Sequence, residues 1–288
     1  MNLAQLECVR RAVRLYGTDM VVSDLDGTIM VWQGLLEMND LIAKHFPEKR
    51  AIVEPLQHLQ HEYKMRRYDF ETLVADTLKV QGLIFHGLKQ SVVRGYAEAL
   101  AKEKLSQVYA FPSTLIRAVV NMQGQARKPV LVVTGSPQEF AEPFCKALGG
   151  VDIVAGSIYQ TADGIYTGER IEITAIHKDQ VMDKLELELG VTWYIGMGDS
   201  MSDWPLLTRA KNGLAINPNK HLLDHIRRNP QHGIIRVSDH QKDGIQFFKF
   251  DDLGRQREIT IHEALPPDLA LAMHNLPGLW NGNVESHS

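Results

Sequence analysis

Met20-Val21-Val22-Ser23 runs straight into Asp24-Leu25-Asp26-Gly27-Thr28, and everything else in the chain can be read outward from this junction. A short apolar run that stops abruptly at charged and turn-forming residues predicts a strand buried on both faces that empties into a polar loop. Four further segments share that grammar. Pro129-Val130-Leu131-Val132-Val133 precedes Thr134-Gly135-Ser136, Val151 to Ala155 is a second apolar run, Thr192 to Ile195 precedes Gly196-Met197-Gly198-Asp199, and Gly213 to Ile216 precedes Asn217-Pro218. Helical patterns lie between most of them, so the chain reads as α/β, with a doubly wound parallel sheet covered on both faces. Such sheets bind ligands outside the carboxyl ends of their strands, which is where these polar clusters fall.

Upstream of the first strand, Leu3, Leu6, Val9, Val13 and Tyr16 recur at helical spacing with arginines on the other face, which predicts an amphipathic helix over residues 3 to 16. Downstream, the distance to the second strand far exceeds what one crossover helix needs. Leu35 to Phe46, Arg50 to Arg67, Phe70 to Val80 and Gly87 to Leu105 each read as a helix, so residues 33 to 106 are expected to form a helical insertion. Pro112 then opens a helix expected to run to about Arg127. Ser157-Ile158-Tyr159 and Ile165-Tyr166-Thr167-Gly168 flank Asp163-Gly164, the signature of a hairpin. The expected organisation is a core of residues 1–32 and 107–238, the insertion 33–106, and a C-terminal extension 239–288 with strand-like Gln246 to Phe250 and Glu258 to His262.

Composition narrows the partners. The 288 residues set a prior of about two domains, with 44% apolar and 23% charged residues, as in ordinary folded proteins. Lys plus Arg number 31 against 35 Asp plus Glu, a net charge of -4, which gives no basic excess for a nucleic-acid backbone. Cys8 and Cys145 read as free thiols of a reducing compartment. No window approaches the roughly 20 apolar residues of a membrane span, and Arg10, Arg11 and Arg14 follow the first apolar positions where a secretory signal would have its charges in front. A cytoplasmic protein with neither a membrane nor a nucleic-acid partner is expected.

The acidic residues at the strand ends carry the chemistry. Asp24 and Asp26 flank one turn, and Asp199 and Asp203 flank another. If the two strands are neighbours, the carboxylates converge, and like charges that close require protons or a cation. Hard oxygen donors with room for water suit Mg²⁺, which binds through one or two carboxylates plus a substrate phosphate. Lys178 opens the helical pattern Gln180 to Leu189, and Thr134-Gly135-Ser136 supplies a hydroxyl with closely approachable backbone N–H groups. Together these describe a clamp for a phosphoryl group.

Asp24-Leu25-Asp26-Gly27-Thr28, Thr134-Gly135-Ser136, Lys178 and Gly196-Met197-Gly198-Asp199-Ser200-Met201-Ser202-Asp203 occur in the order of the four motifs of the haloacid dehalogenase superfamily, which the chain resembles from about residue 18 to 237. The resemblance implies a Rossmann-like core, and the helical insertion resembles the family's cap after the first motif. Ser136-Pro137-Gln138-Glu139-Phe140 with Asn217-Pro218 is similar to the phosphoserine-phosphatase-like branch. It further implies that Asp24 attacks phosphorus to give an aspartyl phosphate, and that Asp26 serves first as acid and then as base. Mg²⁺ would be held by the Asp24 side chain, the Asp26 backbone carbonyl and Asp199. Thr134, the Gly135 N–H and Lys178 would hold the phosphoryl oxygens, with Asp203 orienting Lys178 or a metal-bound water.

The implied activity is hydrolysis of a small phosphorylated metabolite, a phosphomonoester. Phosphoryl transfer to a small acceptor and a non-catalytic regulator on the same scaffold are the alternatives. For specificity, the motif alignment places Gln33 where phosphoserine phosphatases have a carboxylate for the substrate amino group, with Glu37 one helical turn further on. Arg66 and Arg67 in the insertion are candidates for reading a substrate carboxylate. His58 with His61, and His221 with His225, have helical spacing but no evident third ligand, and read as surface or satisfied histidines.

Overall fold

The computed structural model describes residues 1–64, 70–172, 177–240 and 244–276. Helix α1 (Leu3–Tyr16) precedes β1 (Asp19–Ser23), and α2 (Gly34–His45), α3 (Arg50–Lys64), α4 (Phe70–Phe85) and α5 (Gln90–Lys104) follow before α6 (Ala110–Asn121) leads into β2 (Val130–Pro137). Then come α7 (Gln138–Leu148), β3 (Ile153–Ala162), β4 (Ile165–Glu172), α8 (Lys178–Leu189), β5 (Thr192–Gly198), α9 (Trp204–Arg209), β6 (Asn212–Ile216) and α10 (Lys220–Arg228). The C-terminal elements are β7 (Ile235–His240), β8 (Gly244–Phe250), β9 (Gln256–Ile259), α11 (Ile261–Ala264) and α12 (Pro267–His274).

The strands form one sheet in the order β4-β3-β2-β1-β5-β6-β7-β8-β9, parallel from β3 through β7 and antiparallel at both margins. Alternation along the strands sends successive side chains to opposite faces. Val21, Val130, Val132, Ile195 and Met197 therefore share one buried cluster with α6, α7 and the inserted helices. Met20, Val22, Leu131, Val133 and Trp193 join another with α1 and α8. Each such aliphatic side chain contributes about 1.5–3 kcal/mol by leaving water, and the neighbouring strands β2, β1 and β5 each contribute to both clusters. α1 docks through Leu6, Val9 and Ala12, and its first turn is closed by a capping box between Asn2 and Gln5.

Several expected boundaries shift, each for a local reason. α4 continues to Phe85 and α5 starts only at Gln90, because Gly87 turns at φ +79° and donates its N–H to Tyr166 O at 2.9 Å. α6 starts at Ala110, two residues before Pro112, since the buried Asp239 carboxylate accepts the Phe111 N–H at 2.7 Å. It ends at Asn121 rather than near Arg127; a 3-10 turn with Gly124 at φ +58° follows. β3 merges the two segments read separately as Val151–Ala155 and Ser157–Tyr159, with a register shift against β2. β7 is a strand beyond those expected, and Asp239, expected to begin the extension, is still within it; β8 and β9 then continue the same sheet. Arg66 and Arg67 lie outside the described residues.

Candidate active site

β1 and β5 are hydrogen-bonded neighbours, and Asp24 and Asp199 are the first residues beyond their carboxyl ends. The Asp24 N–H donates to Met197 O at 3.0 Å, which ties the tip of one strand to the other. Thr28 Oγ1 spans the gap, 3.4 Å from Asp24 Oδ2 and 3.3 Å from Asp199 Oδ1. Gly27 between them sits at φ +79°, and a Cβ there would lie 2.5 Å from Asp199 Oδ2, so the turn requires glycine both for its dihedral and for its closeness to the carboxylate. Asp24, Asp199 and Asp203 each place a carboxylate oxygen within 4.8 Å of the others, the one such acidic or histidine-containing cluster among the described residues.

Lys178, the first residue of α8 and only 3% exposed, reaches into this cluster. Its Nζ lies 2.5 Å from Asp24 Oδ1 and 2.5 Å from Asp203 Oδ1. Burial draws the ammonium toward neutrality, but Asp203 and Asp24 more than reverse this and hold its pKa above the ordinary value. Asp203 is fixed on its other side, where Oδ2 accepts the N–H groups of Asp199 and Ser200 at 3.0 and 2.9 Å and the Ser200 hydroxyl at 3.0 Å. Asp203 thus pairs with Lys178 through one oxygen while its other oxygen is held by the loop after β5.

Asp26 points elsewhere. Its Oδ2 accepts the Thr134 hydroxyl at 2.7 Å, and its Oδ1 accepts the Ser136 hydroxyl at 3.0 Å and the Gly34 N–H at 2.5 Å. Burial raises its carboxyl above the usual range despite these three donors. Burial also pushes Asp24 up to about 7, with Asp203 and Asp26 adding to the rise and Lys178 opposing it. Asp199 is raised for the same reason, by burial and then by Asp203 and Asp24. Three crowded carboxylates with one ammonium between two of them leave negative charge to be neutralised. The hard oxygen donors of Asp24 and Asp199 fit a divalent ion such as Mg²⁺. With the Asp26 carboxylate engaged by hydroxyls, its share in such a site would fall to its backbone carbonyl.

The structure brings Asp24, Lys178, Asp199 and Asp203 together and sets Asp26 beside Thr134. Thr134, expected to face a phosphoryl oxygen, donates to Asp26, while the Gly135 carbonyl accepts the Ser157 hydroxyl at 2.7 Å. Gln33 is the N-cap residue of α2, without a side-chain capping bond. Glu37 is paired with Lys104 of α5 at 3.1 Å. The contributions of Thr28, Ser136, Ser200 and the Gly34 N–H were not anticipated. The first three lie within or beside the quoted motifs; the fourth is a backbone group that no residue type announces.

This constellation is that of a hydrolase site at the carboxyl edge of a parallel sheet, and the chain belongs to the haloacid dehalogenase-like hydrolase family, which it matches over residues 21–208. Among solved structures, it is similar to a protein with unknown function from Bordetella pertussis Tohama I (TM-score 0.56, 17% identity), over 73% of this chain and 95% of that one. A HAD family hydrolase from Salmonella enterica subsp. enterica serovar Typhi is similar with a TM-score of 0.50 and 16% identity, over 82% and 77% of the two chains. A phosphoserine phosphatase in a phospho-aspartyl intermediate analogue form gives a TM-score of 0.49 at 15% identity, over 72% and 90%. At such identities the likeness is one of fold. No curated protein matches the chain. Among the described residues no helix is long and apolar enough to cross a membrane.

Proposed function

We propose that the protein is a Mg²⁺-dependent phosphatase that hydrolyses a small phosphomonoester through a phosphorylated Asp24. The observation that carries this reading is the convergence of Asp24, Lys178 and Asp199 at adjoining strand ends, with a second carboxyl, Asp26, held two residues away by neutral donors. An Asp24 oxygen attacks phosphorus and forms the acyl phosphate while the bond to the leaving oxygen breaks. Asp26, kept protonatable by its burial, gives its proton to that oxygen. In the second half, the Asp26 carboxylate takes a proton from water, whose oxygen attacks phosphorus and releases phosphate and free Asp24. Lys178 stays charged throughout, with Asp203 as its constant carboxylate partner, and neutralises charge on the transferring group. A bound Mg²⁺ on Asp24 and Asp199 would supply the charge that lets a phosphate dianion approach a carboxylate.

Gln33 is uncharged and Glu37 is occupied by Lys104, so neither supports the reading of a substrate ammonium group, and the substrate is stated as a phosphomonoester. A panel of phosphomonoesters assayed with and without Mg²⁺ tests the reading. Phosphate release that requires the metal is expected; no release from any member would contradict it, and phosphate found on an added alcohol would convert it to phosphoryl transfer.

A pH signature accompanies the metal. Asp24 and Asp199 have raised pKa values, so the folded chain retains protons that an unfolded chain, with carboxylates near 3.8, has already released. Their contribution to stability therefore declines as pH rises from about 4 to about 7. A divalent ion takes the place of those protons and competes with them below that range. The rise in Tm on adding Mg²⁺ is expected to be small near pH 5 and larger near pH 7, within the window set by these carboxylates. Thermal melts giving equal shifts at both pH values would contradict the assignment of these groups as metal ligands.

A further inference from the structure

We infer that Ser136 is a positioning residue for the acid and base Asp26, a role that rests on the phosphatase reading and adds a specific residue to it. Ser136 is 1% exposed, and its hydroxyl donates to Asp26 Oδ1 at 3.0 Å. Its backbone N–H donates to Thr134 Oγ1 at 3.0 Å, and that hydroxyl in turn donates to Asp26 Oδ2 at 2.7 Å. One residue thus acts on both oxygens of the carboxyl group, directly on one and through Thr134 on the other.

The placement follows from the strand. Residues two apart on β2 face the same side, so Thr134 and Ser136 present their hydroxyls together across Gly135. The register of β2 against β3 shifts between Val133 and Pro137, and the Gly135 carbonyl in that interval is anchored by Ser157. Beside Ser136, the first turn of α2 closes on the same group. Gly34 donates to Asp26 Oδ1, and a Cβ on Gly34 would lie 2.9 Å from Ser136 Oγ and collide with the Phe140 ring. Asp26 therefore has two torsions fixed by donors from two elements. A carboxyl group that must hand a proton to the leaving oxygen and later take one from water gains from being held in one orientation for both steps.

Leaving-group chemistry separates this role from a structural one. Nitrophenolate departs without a proton, whereas an alkoxide needs one, and kcat/KM reports the steps through formation of the phosphoenzyme. Ser136→Ala is expected to lower kcat/KM for an alkyl phosphate by roughly 10- to 100-fold, below the about 10²–10⁴-fold worth of a complete acid. For p-nitrophenyl phosphate it should change by less than about 3-fold, the acid not being needed. In an Asp26→Asn background, the Ser136→Ala change should have no further effect on the alkyl phosphate. Equal losses on the two substrates, no loss on either, or a full further loss in the Asp26→Asn background would each overturn the inference. A thermal melt of Ser136→Ala verifies that the comparison is made on folded protein. Wild-type protein that hydrolyses neither substrate refutes the phosphatase reading itself, an outcome distinct from the others.

Discussion

Asp24→Asn is expected to abolish turnover of any phosphomonoester the wild type accepts, by at least about 10⁴-fold in kcat, the scale on which loss of a covalent nucleophile is felt. An amide has nearly the same shape as the carboxylate but no anionic oxygen to attack phosphorus. The fold should persist, for two reasons. Asp24 is 5% exposed, and the replacement fills the same volume. Lys178 would also keep its second partner, Asp203 at 2.5 Å, so no buried charge is orphaned. Removing one of several crowded anions also relieves part of the repulsion that, after burial and Asp203, raises Asp199. A circular-dichroism melt close to wild type together with absent phosphate release is the expected pair of results; ordinary activity would remove Asp24 from its role.

The second large effect concerns Lys178, whose loss should cost both stability and activity. Lys178→Met preserves most of the apolar stem but leaves Asp24 and Asp203 buried without their shared cation. Breaking a buried ion pair from one side typically costs about 3–5 kcal/mol, because the remaining charge is uncompensated. Denaturant unfolding should therefore show a fall of that size, and activity should drop by at least about 10²-fold through the missing charge on the transferring group. Asp203→Asn added to Lys178→Met should recover part of the stability, since it neutralises one of the two stranded carboxylates. If instead Lys178→Met unfolds at the wild-type denaturant concentration, the lysine is not bridging these groups.

The two faces of the sheet could be read from the sequence because β1, β2, β5 and β6 are apolar runs with polar ends, a pattern fixed by burial on both sides. β7 escaped because Arg236 interrupts its apolar residues and its close, Ser238-Asp239-His240, resembles a loop; the Asp239 carboxylate is instead used to cap α6. Among site residues, Asp24 and Asp199 were legible as strand-end carboxylates. Their meeting depends on β1 and β5 being adjacent, which the structure shows. The partners of Asp26 were not legible. Ser136 lies 110 residues away along the chain, and the Gly34 contribution is a main-chain N–H, so neither leaves a periodic or compositional trace. The same holds for Glu37, an apparently free helix carboxylate until α5 brings Lys104 against it.

Trapping the phosphoenzyme tests the central claim most directly. Asp26→Asn retains the nucleophile and lacks the base for the second half-reaction, so with p-nitrophenyl phosphate and Mg²⁺ it should form the acyl phosphate and release it slowly. Rapid acid quench followed by peptide mass spectrometry is predicted to find one phosphoryl group on Asp24, in near-stoichiometric amount and absent from an Asp24→Asn control. Nitrophenol released in step with free phosphate, with no phosphoryl group recovered on Asp24 at any quench time, would contradict the account.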